Sequence, residues 1–249
     1  MIELQNLYKR FDNRQIYRDL SLAIPENEIT VILGKSGVGK SVLLKHILGL
    51  IAPDSGKVII EGTDIVPLSI DQQREFRLKF GMVFQSSALL DSLTVEENVG
   101  LGLRKLTNEP EERIREKVMT CLQQVGLEEN AHLLPEKLSG GMKKRAAFAR
   151  AITMQPKYLL YDEPTTGLDP VTGDMIVNLI LKFNREFETT SIIVTHDMAA
   201  TMKVADRIAL LENGQIQAVM TPSEFENGGH PLAQEFITGA SYDLNGNSD

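Results

Sequence analysis

The sequence predicts an α/β fold in which a parallel-sheet core is interrupted by a helical insert. Three observations lead there. A compact β-branched run, EITVIL at 28–33, flows straight into a Gly-rich segment and then a helical pattern. From about Ser86 to Met154 the spacing of apolar residues is mostly helical. From Lys157 onward strands and helices alternate again.

The elements follow in order. IELQNLYKRF and QIYRDLSLAI are β-rich stretches separated by a DN turn signal, an N-terminal antiparallel β subdomain. EITVIL is a strand and SVLLKHILGL a helix; APDSG is a turn, and GKVIIEG a short strand closed by Gly62. DQQREFRLK reads as helix and FGMVFQ as strand. TVEENVGLGLRK, EERIREKVMTCLQQVG and GGMKKRAAFARAITM carry helical spacing, with Thr94 and Glu97 placed for a capping box. KYLLYD is then a strand, PVTGDMIVNLILKFNREF a helix, TSIIVTHD a strand, MAATMKVA a helix, and RIALLENG a strand running into a turn. The Met and Leu residues of MIVNLILKF are expected in the helix core, and Cys121 as an inert thiol in an apolar stripe. After Thr221 the sequence predicts at most short helices and a polar, mobile end. No internal repeat or low-complexity linker interrupts the chain. It reads as one domain over 1–249, with a core at about 1–85 and 155–220, a helical subdomain at about 86–154 and a tail at 221–249.

Composition narrows the partners. The 249 residues are 42% apolar and 24% charged, an ordinary soluble balance with enough chain for a large core. With 26 basic and 34 acidic residues the formal charge is −8, which argues against nucleic acid or an anionic lipid surface as the main partner. Cys121 is the only cysteine, so no internal disulfide forms and a reducing compartment fits. MIELQNLYKRF does not read as a signal peptide, and runs such as IVPL and YLLY are too short to span a bilayer. Any membrane role must come through a partner.

Chemistry begins at Gly34-Lys35-Ser36-Gly37-Val38-Gly39-Lys40-Ser41, which fits G-x4-G-K-[ST]. Glycines let the backbone wrap close to a phosphate with its N–H groups inward, while the following helix presents its positive end. Lys40 would reach the β- and γ-phosphates and the Ser41 hydroxyl would ligate Mg²⁺. By itself the motif says only that a nucleoside triphosphate binds. At 157–164, KYLLYDEP is a short strand ending in two carboxylates, at the edge of a parallel sheet where ligands bind. Asp162 would hold Mg²⁺ through water and Glu163 would polarise an attacking water; equally, the string is a strand ending in an acidic turn. Leu138-Ser139-Gly140-Gly141-Met142 precedes KKRAAFARAI, which alone reads as a capped helix start. His196 alone reads as a capping or packing histidine, Gln85 as a solvated strand-end amide, and Phe11, like Tyr8, as a strand aromatic.

Taken together and in order, these segments resemble the ATP-binding cassette (ABC) ATPase family over nearly the whole chain. LSGGM is similar to the ABC signature, with Met142 where Gln is more usual; Gln85 matches the Q-loop, Gly167-Leu168-Asp169-Pro170 the D-loop, and His196 the switch histidine. Phe11 occupies the place of the aromatic that stacks on adenine. The resemblance implies a P-loop NTPase, RecA-like core, with ATP and Mg²⁺ bound by Gly34 to Ser41 and by Gln85 and Asp162. It implies hydrolysis with Glu163, and His196 holding the γ-phosphate and water in register. It also implies a head-to-tail homodimer in which Ser139, Gly140 and Gly141 of one copy close over ATP on the other, with Asp169 connecting the two sites.

The run Phe84-Gln85-Ser86-Ser87-Ala88-Leu89-Leu90-Asp91-Ser92-Leu93-Thr94-Val95, with LSGGMKKRAAFARAI and YDEPTTGLDPVT, resembles ATPases serving MCE (mammalian cell entry) lipid transporters such as the Mla phospholipid system. Leu90 stands where Phe is usual. This resemblance implies a cassette at the cytoplasmic face of the inner membrane, with a membrane permease, an extracytoplasmic MCE protein and sometimes a small regulatory subunit as partners. Leu89, Leu90 and Leu93 would either dock a permease helix or pack internally. The alternatives are the ATPase of a small-solute importer or exporter, for instance of amino acids, and a soluble ABC protein working on DNA or ribosomes. The last of these would call for long coiled-coil insertions or tandem cassettes, and the sequence has neither.

Overall fold

In the computed structural model residues 1–244 are described, with side chains as far as Thr238. The elements are β1 (Ile2–Phe11), β2 (Arg14–Ile24), β3 (Ile29–Leu33), α1 (Lys40–Ile47), β4 (Ser55–Ile60), β5 (Thr63–Asp64), α2 (Ile70–Arg77) and β6 (Phe80–Val83). Then come α3 (Val95–Leu106), α4 (Glu111–Gln124), α5 (Gly140–Ile152), β7 (Tyr158–Asp162), α6 (Pro170–Phe187) and β8 (Thr190–Thr195). The described chain closes with α7 (Met198–Val204), β9 (Arg207–Glu212), β10 (Gln215–Met220), α8 (Pro222–Glu226) and α9 (Pro231–Leu244). It forms two compact units, Met1–Gln73 with Ile192–Asp249, and Arg74–Ser191. Helix α2 and strand β8 each run across a boundary in the chain.

The first unit holds an antiparallel sheet in the order β2-β1-β4-β5. Its register sets Ile2 opposite Ile24 and Ile60, and Leu4 opposite Leu22 and Val58, so alternating apolar residues share one buried face. The DN turn joins β1 to β2 with Asp12 in a left-handed conformation (φ 47°), which Asp tolerates. The same unit contains β10-β9-β3-β8, with β3 and β9 parallel and β9 and β10 antiparallel. All five residues of β3 are buried, which is why that strand reads as an unbroken apolar run rather than an alternating one.

Two features of this unit depart from the sequence reading. RIALLENG does end in a turn, but the chain continues as β10, with Asn213 (φ 50°) and Gly214 (φ 76°) forming a two-residue hairpin loop. Both central residues take positive φ, the backbone that matches the twist of the flanking strands. The tail is also more ordered than expected. Helix α9 is 14 residues long, because Leu232 and Ala233, with Phe236 and Ile237, cover Leu33, Ile208, Leu210, Met220 and Phe225. The polar end expected to be mobile falls at 245–249, outside the described residues.

The second unit pairs β6 with β7 in parallel, Phe80 opposite Tyr158 and Val83 opposite Tyr161, and Thr190 at the head of β8 donates to the Lys157 carbonyl at 3.1 Å. Helices α3, α4 and α5 pack on one another, and Val99, Leu103, Val118, Leu122 and Phe148 among their residues are buried. Thr94 and Glu97 close the expected capping box at the head of α3. In α6 the buried stripe is Ile176, Val177, Ile180 and Phe183; Met175 is exposed and Leu179 and Leu181 are only half-buried, so the β-branched and aromatic residues form the core there, not Met and Leu. Cys121 is half-buried, and burial pushes its thiol up, as an inert side chain requires.

Phe225→Ala would remove the centre of the cluster under α9. Urea unfolding of the full chain should show a loss of about 3–5 kcal/mol, the usual cost of emptying a buried aromatic site. A loss under about 1 kcal/mol would mean that α8 and α9 are not part of the core.

Candidate functional site

Strand β3 ends at Leu33 and the chain turns through 34–39 into α1, the strand–loop–helix order that a phosphate cradle needs. Gly37 (φ 77°) and Gly39 (φ 111°) occupy backbone regions that L side chains rarely adopt. At Gly39 a Cβ would come within 2.8 Å of Ile16 Cγ2, and at Gly34 within 2.6 Å of the Leu211 carbonyl oxygen. These glycines are therefore fixed by their surroundings as well as by ligand access. Tyr17, wholly buried, donates its hydroxyl proton to the Gly39 carbonyl at 2.5 Å, and burial pushes its phenol well above the ordinary value. Arg14 donates to the Gly37 carbonyl at 2.6 Å.

Lys40 opens α1 and is 6% exposed. Its ammonium donates to the carbonyls of Gly34 (2.7 Å) and Lys35 (3.1 Å), so the loop curls round its own cation. Ser41 follows at the first turn. A cleft of about 380 Å³ beside the loop is lined by Arg14, Arg18, Ser36, Gly37, Val38 and Gly214. Backbone N–H groups at a helix start, a buried ammonium and flanking guanidinium groups make an anion site. The Gly34 N–H also reaches the Thr195 carbonyl at 3.4 Å, which sets the end of β8, and hence His196, beside the start of the loop. His196 is exposed, and the next residue, Asp197, caps α7 through Ala200 N–H at 3.0 Å. The capping role considered for the histidine thus belongs to its neighbour. Phe11 lies at the end of β1, 40% exposed, with the Lys9 ammonium 5.1 Å from its ring centre. An exposed aromatic at a strand end has a face available for stacking. Tyr8 is exposed to the same degree.

The second unit gathers the other motifs. Asp162 ends β7 and Glu163 follows it, 9% and 8% exposed. Glu163 is left-handed (φ 48°), a costly backbone for a residue with a Cβ, and Thr166 donates to its carboxylate at 3.2 Å. Gln85 lies exposed just beyond β6. Between them stands Lys144 of α5, 4% exposed, donating to the carbonyls of Gln85 (2.6 Å), Phe84 (3.5 Å) and Glu163 (3.4 Å). Ser139 caps α5 by accepting from Met142 N–H at 3.3 Å, so the capped-helix reading of LSGGM is correct as local structure. Gly140 and Gly141 form the first turn; a Cβ at Gly141 would fall 2.5 Å from Thr172 Cγ2 in α6. Asp169 caps α6 by accepting from the Thr172 N–H (3.0 Å) and hydroxyl (2.6 Å), and these bonds hold its carboxyl below the usual range. Signature and D-loop therefore meet through Thr172.

Several residues that shape these segments have no role in the sequence reading. Asn98, wholly buried in α3, accepts from Leu90 N–H (2.7 Å) and donates to the carbonyls of Leu90, Leu93 and Thr94, each at 3.0 Å. Arg150 donates to the carbonyls of Ser87 (2.8 Å) and Ala88, two consecutive left-handed residues. The loop after Gln85 is thus pinned from beneath by side chains that its own sequence does not contain. Leu90 is 46% exposed and Phe84 38%, while Leu89 and Leu93 are half-buried. The leucines of this run divide between packing and exposure. Lys144 had one sequence signal: it shares a buried helical stripe with Phe148, Ala151 and Ile152, where a lysine is out of place.

Fold and loop together define a nucleoside triphosphate-binding ATPase cassette. Comparison with known proteins places it more narrowly. The pattern of the family described as "ABC transporter" matches residues 17–166. The Intermembrane phospholipid transport system ATP-binding protein MlaF of Haemophilus influenzae is 38% identical over 97% of this chain and 91% of its own length. The Probable ribonucleotide transport ATP-binding protein mkl of Mycobacterium leprae is 38% identical over 96% of this chain and 69% of its own length. The Methionine import ATP-binding protein MetN of Carboxydothermus hydrogenoformans is 40% identical over 95% and 71%. Among solved structures, the dimeric post-hydrolysis state of an ATP-binding cassette bound to ADP and Pi superposes with a TM-score of 0.82 at 33% identity, covering 89% of this chain and 99% of that one. The chain belongs to the ABC transporter family and is an ATP-binding, ATP-hydrolysing subunit.

Asn98→Ala would leave buried backbone groups of the 90–94 segment unsatisfied, at about 1–3 kcal/mol. Amide exchange over 87–94 should accelerate about tenfold or more, with nucleotide affinity unchanged. Unaltered protection of that segment would show that Asn98 does not hold it.

Proposed function

We propose that this subunit energises MCE-type phospholipid transport across the cell envelope, acting at the cytoplasmic face of the membrane through a permease. Among the described residues no helix is long and apolar enough to cross a membrane, so the chain would need such a partner. The observation that carries the reading is the 84–95 run: a sequence resembling MCE-serving cassettes, presented with Phe84 and Leu90 exposed and its backbone pinned by Asn98 and Arg150. Apolar side chains on a fixed backbone suit a docking surface. The 38% identical MlaF relative supports the same substrate class. The MCE protein and a small regulatory subunit are the further partners this reading predicts.

In the catalytic cycle, Gly34 to Ser41 would wrap the phosphates, with Lys40 on the β- and γ-phosphate oxygens and Phe11 against the adenine. Ser41, Gln85 and Asp162 offer a hydroxyl, an amide carbonyl and a carboxylate, a set of hard oxygen donors that fits Mg²⁺. When bound, the ion would neutralise charge on the phosphate oxygens. Glu163 would accept a proton from, and orient, the attacking water, and His196 would keep water and γ-phosphate in line. The glycine-bearing helix start at Ser139, Gly140 and Gly141 would close over ATP on a second copy, head to tail, with Asp169 beside the shared boundary. The dimeric cassette superposing on this chain supports that pairing.

A second reading is favoured by one observation: the MetN relative, named for methionine import, is 40% identical. The two readings part on what stimulates hydrolysis. Phospholipid should raise the ATPase rate of the complex copurified from membranes, and an MCE protein should be present in it; stimulation by an amino acid with no response to lipid would favour the import reading. Within the same complex, Glu163→Gln should keep ATP binding, lose hydrolysis by about a hundredfold or more and accumulate as an ATP-bound dimer in size exclusion. Near-normal turnover in that variant would remove Glu163 from its assigned role.

A further inference from the structure

Lys144 lies two residues beyond the LSGGM segment, and it is the side chain on which the segments of Gln85 and Glu163 converge. Its ammonium has three protons and, in a 4% exposed position, donates to the carbonyls of Gln85 (2.6 Å), Glu163 (3.4 Å) and Phe84 (3.5 Å). A buried ammonium is tolerated only where oxygens replace its water, so this arrangement is held from both sides: the cation needs the carbonyls, and the carbonyls are drawn to the cation. Burial pulls the ammonium below the ordinary lysine value, while the charges of Asp162 and Glu163 oppose that shift. The carbonyl taken from Glu163 belongs to a left-handed residue (φ 48°), and such a backbone persists only where neighbours fix it. The Thr166 N–H reaches the same carbonyl at 3.3 Å and its hydroxyl reaches the carboxylate at 3.2 Å. Lys144 and Thr166 thus fix Glu163 at backbone and side chain together.

We propose that Lys144 is a positioning residue for hydrolysis: it ties the backbone at Gln85 to the backbone at Glu163, so that displacement of the 84–93 loop is carried to the water-activating carboxylate. The link runs through one side chain and main-chain carbonyls only. A docking partner that shifts the exposed Phe84–Gln85 segment would pull on the same ammonium that fixes Glu163. This rests on the assignment of Glu163 given above, and it extends that assignment by naming what holds the glutamate and what could move it. It also separates the rate from affinity: the residues that cradle phosphate, Gly34 to Ser41, make their own hydrogen bonds without Lys144.

The test uses the full chain with its copurified membrane complex and three substitutions. Lys144→Met keeps length but no donor, Lys144→Gln keeps donors but no charge, and Lys144→Arg keeps both. Rates are normalised to titrated nucleotide sites, so that a misfolded fraction does not count as slow turnover. For Lys144→Met, kcat should fall roughly ten- to a hundredfold, as expected for a displaced catalytic group, while affinity for a fluorescent ATP analogue stays within about threefold. Lys144→Arg should restore kcat to within about threefold of the parent. If Lys144→Met does not fold, Lys144→Gln is judged by the same split. Unchanged kcat, or a fall in kcat matched by an equal loss of nucleotide affinity, overturns the proposal. A Glu163→Gln control separates the two claims: if it is inactive while Lys144→Met is fully active, the glutamate assignment stands and the positioning role fails.

Discussion

A lysine ammonium removed from water must be surrounded by oxygen atoms, and this constraint shapes both the 34–41 loop and the segments around Gln85 and Glu163. Lys40 and Lys144 are the buried lysines among the described residues. Main-chain carbonyls accept from each: Gly34 and Lys35 for the first, Gln85, Phe84 and Glu163 for the second. Carbonyls carry partial charge only, so they hold a cation without neutralising it. At Lys144 the charges of Asp162 and Glu163 favour the ammonium that burial disfavours.

The curvature of each loop follows from the same need. Carbonyl oxygens can converge on one point only if the backbone turns tightly, and tight turns demand unusual φ. In the phosphate loop glycine meets that demand, at Gly37 and Gly39, and Tyr17 and Arg14 hold the carbonyls of those same residues from outside. In the other unit the demand falls on residues with side chains, Glu163 and the pair Ser87 and Ala88. The difference suits the roles proposed above: a cradle for phosphate would need bare backbone, so glycine serves, whereas a water-activating Glu163 would need its carboxylate, so its strained backbone is held by Lys144 and Thr166 instead.

This difference also decides what was legible in the sequence. Strands buried on both faces, such as ITVIL and YLLYD, the capping box at Thr94 and Glu97, and the glycines of 34–39 all announce themselves by local pattern, because the residue type and the constraint occupy the same position. The hairpin partner β10 was less visible, since QIQAVM pairs with β9 on one side and alternates half-buried with exposed positions. Helix α9 was missed for a related reason: its apolar residues make sense only once Leu33, Ile208 and Phe225 are known to lie beneath them. Asn98 acts on backbone within 8 residues of itself, and Arg150 and Lys144 are the far case, Lys144 on Gln85 59 residues away and Arg150 on Ser87 63 residues away. A carbonyl has no letter of its own, so a side chain that recognises one leaves no paired signal in the sequence.

Backbone recognition has a functional consequence beyond concealment. Because Lys144, Asn98 and Arg150 grip main chain, the exposed side chains of 84–93 other than Gln85 can differ without loss of those bonds, Leu90 in place of Phe being one instance. The loop can therefore change its outward chemistry while its path, and its tie to Glu163, stay constant. On the proposals above, the surface that meets a membrane partner and the geometry that holds Glu163 would be carried by different atoms of the same residues.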